Sequence, residues 1–438
     1  MTMQPVDTLI RAAHVIPVEP PGVLADHAVA IRDGRIVALL PAAEALRRFE
    51  PREAVSLERH VLMPGLVNLH CHAAMALLRG IADDMPLMKW LEEHIWPAEG
   101  RHASDEFVHD GSLLAMAEML RAGVTCVNDM YFFPGATGRA ALRAGMRATL
   151  AMIAIDFPSA YATDAHDYLA KGLATRDAYR GEPLLSFAFG PHAPYTVGDE
   201  TLKRIAVLAE ELDVPIQTHV HETRGEVEQG MAKHGVRPIE RLRHQGLVGP
   251  RLIAVHAVHL NDAEIDLFAR EGVTVAHCPS SNMKLASGIA PVARLRERGV
   301  RVGVGTDGAA SNNRLDVLTE MRHAALLAKV ASGDASVVGA HEAIAMATIE
   351  GARALGLDGE IGSIAAGKSA DLAALDLGDI ETQPLFDAAS HVVYAAGREH
   401  VTHVWVAGQA RLVERRLQGL DEQDLRDKAA WWRRKLTS

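Results

Sequence analysis

The hydrophobic positions of the first 60 residues fall into strand-like runs. Residues 8–18, 28–40 and 57–61 are rich in β-branched and apolar side chains. They are broken by Gly22 and by an Arg32-Asp33-Gly34 turn, a good hairpin signal. From Leu62 the rhythm changes, and short apolar runs of strand length alternate with longer segments of helical period. The runs cover residues 65–72, 125–129, 149–156, 184–192, 215–222, 252–259, 273–278 and 300–307. Helical stretches such as 105–122, 199–212, 262–270 and 292–298 lie between them, and several close on a glycine, as at Gly123 and Gly272. Near-continuous apolar strands joined by helices indicate a parallel sheet buried on both faces. Eight of them indicate a closed barrel, with an open doubly wound sheet as the alternative.

After a helical stretch at 341–355 and a linker at 362–367, strand character returns at 369–375 and 401–413. Two chain ends that both read as strands predict one small β domain shared between them. The expected fold is therefore α/β: a (β/α)8 TIM-like barrel over residues 62–366, with a smaller β-sandwich domain formed from both chain termini, residues 1–61 and 367–438. Residues 421–435 read as a charged amphipathic helix, with Trp431 and Trp432 packing against the body.

Length and charge narrow the function classes. A chain of 438 residues can bury a large core without covalent staples. The cysteines, Cys71, Cys126 and Cys278, are scattered and odd in number, which suits a reducing cytoplasm rather than a disulfide framework. Lys and Arg total 45 against 56 Asp and Glu, a formal charge of −11, so nucleic acid is an unfavourable partner. No signal-peptide pattern opens the sequence, and no apolar run approaches the roughly 20 residues that span a bilayer. The expectation is a soluble, cytoplasmic protein acting on a small molecule, with a homo-oligomer left open.

The chemistry gathers where the eight runs end. The first ends in His70-Cys71-His72, the fourth in His192, the fifth carries His219, His221 and Glu222, the sixth His256 and His259, and the eighth ends in Asp307. In a barrel these C-terminal ends share one mouth, where active sites sit. Residues i and i+2 of a strand point the same way, so His70 and His72 can reach one ion. The spacing alone is weak: with 22 histidines, roughly one His-x-His arises by chance. The combination is stronger. His70, His72, His219 and Asp307 give three nitrogens and a carboxylate, suiting zinc or iron(II) with a position open for water. Gly190-Pro191-His192 offers no bridging group, so one ion is expected. Such an ion supplies hydroxide at neutral pH. Asp307 is then placed to take and return a proton, Glu222 to shuttle one to the substrate, and His256 to hydrogen-bond the attacking oxygen and the oxyanion. Alone, a strand-end glutamate is ordinarily a cap or surface charge, and a histidine on an apolar strand a core residue.

Met63-Pro64-Gly65-Leu66-Val67-Asn68-Leu69-His70-Cys71-His72 resembles the first-strand signature of the amidohydrolase superfamily. Residues 192–196, 219–223, 277–282 and 306–308 resemble its later blocks. They are similar to the 5′-methylthioadenosine/S-adenosylhomocysteine deaminase branch. The resemblance implies one divalent metal on His70, His72, His219 and Asp307, with Glu222 and His256 in the roles above. It also implies substrate contacts at Glu99, through ribose hydroxyls, and at His192, with Trp90 stacking over the nucleoside. The implied reaction is hydrolytic deamination of an adenine nucleoside to the inosine analogue and ammonia. Guanine or cytosine deaminases and triazine hydrolases share most blocks and are the alternatives, with a non-catalytic scaffold as a remote one. One departure stands out: where some members carry a third-strand arginine, the sequence places Met152, and Arg147 lies too early to replace it. Recognition of a homocysteine carboxylate is therefore in question.

Overall fold

A computed structural model of the chain describes residues 3–437. The first sheet opens with β1 (Gln4–Val15), β2 (Leu24–Arg32), β3 (Arg35–Pro41) and β4 (Phe49–Pro64). The chain then builds β5 (Leu66–Cys71), β6 (Val124–Asp129), β7 (Arg147–Ala154), β8 (Leu185–Pro191), β9 (Ile216–Val220), β10 (Leu252–His256), β11 (Thr274–His277) and β12 (Arg301–Val304). It returns to the first sheet with β13 (Leu372–Asp376), β14 (Val401–Val406), β15 (Gln409–Val413) and β16 (Arg416–Leu417).

Strands β5 to β12 are parallel and hydrogen-bonded in sequence order, with helices between successive strands: the nearly closed barrel expected from the alternating pattern. Every residue of β5, β6, β7, β9, β10 and β11 is buried, which explains why these strands read as apolar runs without alternation. Closure brings β12 against β5. The Asp307 N–H donates to the His70 carbonyl at 3.0 Å, and the Thr306 N–H donates to Asn68 Oδ1 at 2.9 Å. Two glycines permit the approach. A Cβ on Gly303 would stand 2.6 Å from the Leu69 side chain, and one on Gly305 would stand 2.8 Å from the His70 nitrogen.

The other sheet is mixed and draws on both ends of the chain, in the order β16-β15-β14-β13-β4-β1-β2-β3. β4 pairs in parallel with β1 and antiparallel with β13, so the sheet is sewn together at the point where the chain enters and leaves the barrel. A buried ion pair ties the two bodies. Arg147, at the start of β7, donates to Asp371 at 3.1 Å, and Asp371 also accepts from Ser369 Oγ at 2.7 Å and from the Ala407 N–H at 2.8 Å. The terminal helix, Glu422–Leu436, docks through Trp432, which is fully buried and donates its indole N–H to Asp110 at 3.1 Å. Trp431 departs from expectation. It is 42% exposed, because neighbouring residues of a helix point about 100° apart and only one can face the body.

Removing one member of a buried, fully hydrogen-bonded ion pair strands the other. Arg147→Ala should therefore cost about 3–5 kcal/mol, read as a lower midpoint of urea unfolding.

Candidate active site

The C-terminal ends of β5, β9 and β12 bring four groups to one point. One ligand atom from each of His70, His72, His219 and Asp307 lies within 4.8 Å of the other three. His70 Nε2 is 3.1 Å from His219 Nε2, and Asp307 Oδ1 is 3.2 Å from His72 Nε2 and 3.5 Å from His70 Nε2. The outer nitrogens explain this orientation. Nδ1 of His72 donates to the Met130 carbonyl at 2.5 Å and Nδ1 of His219 to the His192 carbonyl at 2.7 Å, while Nδ1 of His70 lies 3.1 Å from Gln217 Oε1. With each Nδ1–H held by an oxygen, each Nε2 lone pair is left to face the centre. Asp307 is braced in the same way, its Oδ2 accepting from Ser281 Oγ at 2.6 Å and Ser311 Oγ at 2.8 Å.

The electrostatics fit a cation. Burial pushes His70 down to about 4 and His219 well below its usual range, so both are neutral as ligation requires. Burial also opposes charge on His72, but the hydrogen bond and charge of Asp307 outweigh it and hold His72 up to about 9. Burial would raise Asp307, yet hydrogen bonds from His70 and His72 hold it well below the carboxylate range. Asp307 thus draws positive charge to the place where a metal cation would compensate the carboxylate. The donor set of three imidazoles and one carboxylate fits zinc or a similar divalent ion.

Two backbone positions here are left-handed, His256 at φ 68° and Asp307 at φ 61°, a conformation that costs non-glycine residues energy and clusters at functional sites. His256 Nδ1 donates to Asn282 Oδ1 at 2.8 Å, and its Nε2 lies 3.7 Å from Glu222 Oε2. Burial, reinforced by the charge of Asp307, pushes Glu222 up to about 8. These groups form one end of a cavity whose walls include Glu99, Trp90 and His192. Glu99 is half-buried, raised to about 7 by desolvation, and accepts a 2.6 Å hydrogen bond from Tyr131. His192 reaches Thr196 Oγ1 at 3.1 Å.

The amidohydrolase family model matches residues 61–411, which hold the barrel and, of the other sheet, β13, β14 and the start of β15. The chain belongs to the amidohydrolase family. Two relatives named 5-methylthioadenosine/S-adenosylhomocysteine deaminase match nearly end to end. The one from Saccharophagus degradans is 47% identical over 99% of this chain and 97% of its own length. The one from Teredinibacter turnerae is 48% identical over 98% of each. A crystal structure described as an adenosine deaminase from Xanthomonas campestris with bound zinc superposes with a TM-score of 0.98, at 49% identity and full coverage of both chains.

His70, His72, His219, Asp307, Glu222, His256, Glu99, Trp90 and His192 of this amidohydrolase meet at the same mouth, while Met152, His221 and His259 turn away from it. Met152 does not face the site. Along β7, Leu150, Met152 and Ala154 pack toward the helices, while Ala151, Ile153 and the following Ile155 share the opposite face. A Cβ on Gly172 would stand 2.7 Å from Met152, whereas Ile153 and Ile155 line the cavity. Strand residues alternate sides, so an error of one residue exchanges wall for core. His221 likewise points away, its Nε2 accepting the Ile239 N–H at 3.2 Å, and His259 Nε2 donates to the Ser287 carbonyl at 2.7 Å.

Several functional neighbours escaped the sequence reading. Gln217 sits two residues before His219 on the same strand face, and that spacing was its signal. Glu226 accepts the backbone N–H groups of His221 at 2.9 Å and Glu222 at 2.8 Å, fixing the turn that presents Glu222. Its signal was the Thr223-x-x-Glu226 helix start. Tyr131 carried none because it lies on the loop after β6, and Ser311 carried none because its helix, Ala309–Asn312, is a single turn too short to show a period.

If the four groups hold a metal, His219→Ala should lose the bound divalent ion. Metal analysis of the purified variant checks this, and a full complement of metal would remove His219 from the ligand set.

Proposed function

We propose that the chain is a metal-dependent aminohydrolase. It would replace the 6-amino group of adenine nucleoside-like substrates with oxygen: 5′-methylthioadenosine, S-adenosylhomocysteine and, as a third candidate, adenosine. Water is consumed, and the inosine analogue and ammonia are released. The observation that carries this reading is a four-ligand cluster beside the buried Glu222 in a cavity that Glu99 and Trp90 also line. The names of the near-full-length relatives support it.

One divalent ion is held by His70, His72, His219 and Asp307, with zinc the first choice because the donors suit it and the Xanthomonas campestris structure contains it. When bound, it supplies a Lewis acid that brings the pKa of water to about 7. The protein's own groups then manage protons. His256, whose Nδ1–H is held by Asn282, presents Nε2 to the cavity as an acceptor for the attacking water. Once protonated, the same nitrogen donates to the oxyanion that forms at C6. Glu222, raised to about 8, carries a proton at neutral pH and gives it to the ring nitrogen beside C6, which directs the electron pair away from the attacked carbon. Asp307, held by Ser281 and Ser311, accepts the remaining proton of that oxygen as the C6 carbonyl forms and delivers it to the departing amine, and the proton His256 took from the water returns to Glu222, 3.7 Å away. Glu99 takes the ribose hydroxyls, Trp90 stacks over the nucleoside, and His192 closes the wall between them. The three cysteines are free and buried, which supports a cytoplasmic setting. Among the described residues no helix is long and apolar enough to cross a membrane.

Glu222→Gln should retain the metal and lower turnover by about 10²–10⁴. Ammonia release from methylthioadenosine, adenosine, S-adenosylhomocysteine, guanine and cytosine tests the substrate class. Release from guanine or cytosine alone would overturn the assignment.

A further inference from the structure

The two carboxylate oxygens of Asp307 have different duties. Oδ1 faces the ligand cluster, 3.2 Å from His72 Nε2 and 3.5 Å from His70 Nε2. Oδ2 accepts from the hydroxyls of Ser281 and Ser311. Those hydroxyls come from separate short helices, Pro279–Lys284 after β11 and Ala309–Asn312 after β12. Neither helix has a side-chain cap at its start. Whatever ties the two together therefore sets how firmly Asp307 is held.

That tie is Glu320, on the helix Val317–Ser332. Its side chain is completely buried. Oε2 accepts the Ser280 N–H at 3.0 Å, and Oε1 accepts from Asn312 Nδ2 at 2.8 Å. Ser280 is the chain neighbour of Ser281, and Asn312 is the chain neighbour of Ser311. Each oxygen of Glu320 thus grips the residue beside one serine. Asn312 Nδ2 also donates at 2.7 Å to the carbonyl of Thr306, immediately before Asp307.

The residue type is informative. These partners of Glu320 are N–H donors rather than a lysine or arginine, and a carboxylate buried without a cation is costly. A first-turn acid that only complements its helix dipole could stay exposed and avoid that cost. Facing two donors at once, however, requires two acceptors. A carboxylate has them, whereas a glutamine offers one oxygen and an NH₂ that would meet another donor.

We propose that Glu320 is a positioning residue: by clasping Ser280 and Asn312 it keeps the Ser281 and Ser311 hydroxyls on Asp307, and so fixes that carboxylate in the ligand set. This rests on the metal-dependent deaminase reading above and deepens it.

The test measures zinc retention by the loaded protein against a competing chelator, together with kcat and KM for methylthioadenosine. Outer groups that orient a metal ligand are worth about 10–100-fold in metal affinity or activity. Glu320→Gln should therefore lower zinc affinity by about tenfold or more. It should lower kcat rather than raise KM, because Glu320 is not among the residues that line the cavity. In a protein already carrying Ser281→Ala and Ser311→Ala, the same change should add little, since the clasp then has no hydroxyls to place. General loosening of the fold would instead lower affinity equally in both backgrounds. Asn312→Ala, at a partly exposed position, opens the clasp from its other side and should act in the same direction even if Glu320→Gln fails to fold. Unchanged zinc affinity in both variants overturns the inference, and so does an effect undiminished in the double-alanine background. Lowered zinc affinity in a protein that deaminates no adenine nucleoside overturns the deaminase reading alone and leaves Glu320 in this role.

Discussion

The Asp307 N–H donates to the carbonyl of His70, and at that bond the last strand of the barrel meets the first. One backbone contact therefore sets the distance between a carboxylate and two imidazoles that lie more than 200 positions apart in the sequence. The third imidazole arrives on β9, whose position depends on the same ring of parallel strands. No local element could assemble this cluster, since each strand supplies one or two ligands and the ring supplies their geometry. The small residues at Gly303 and Gly305 are part of the site for this reason, although they touch no substrate.

The cluster also organises the charge around it. Burial disfavours charge on the imidazoles while Asp307 calls for a counter-charge, and a divalent cation resolves both demands. Glu222 and Glu99 face the same cavity at raised pKa, so both can hold a proton where an exposed glutamate would not. Burial does opposite things to acid and base: it favours the neutral form of His70 and His219 and the protonated form of the glutamates. One low-dielectric pocket thus prepares ligands and proton donors together.

Much of this was legible in the sequence because buried parallel strands announce themselves. They read as apolar runs, and a titratable residue at the end of such a run has few structural reasons to be there. His70, His72, His219, Glu222, His256 and Asp307 all stood out on that ground. What was hidden followed from different physics. The side of β7 that faces the cavity depends on register to a single residue, and the sequence placed Met152 where Ile153 stands. Tyr131 comes from a loop and Ser311 from a single helical turn, whose paths depend on what they pack against rather than on any period. Glu99 was found only through family resemblance, since a glutamate in the first turn of a helix is ordinarily just a favourable dipole partner.

The second sheet has a consequence for biosynthesis. β4 leaves the ribosome early, yet its partner β13 is made only after the entire barrel. Until then the nascent chain displays an unpaired apolar edge at residues 60–64, the kind of edge that recruits other chains. A fragment ending between Ser311 and β13 would keep every ligand and proton-transfer group but never cover that edge. The C-terminal strands thus act as a late seal on the folding chain, and chaperone dependence should be set by how long that edge waits.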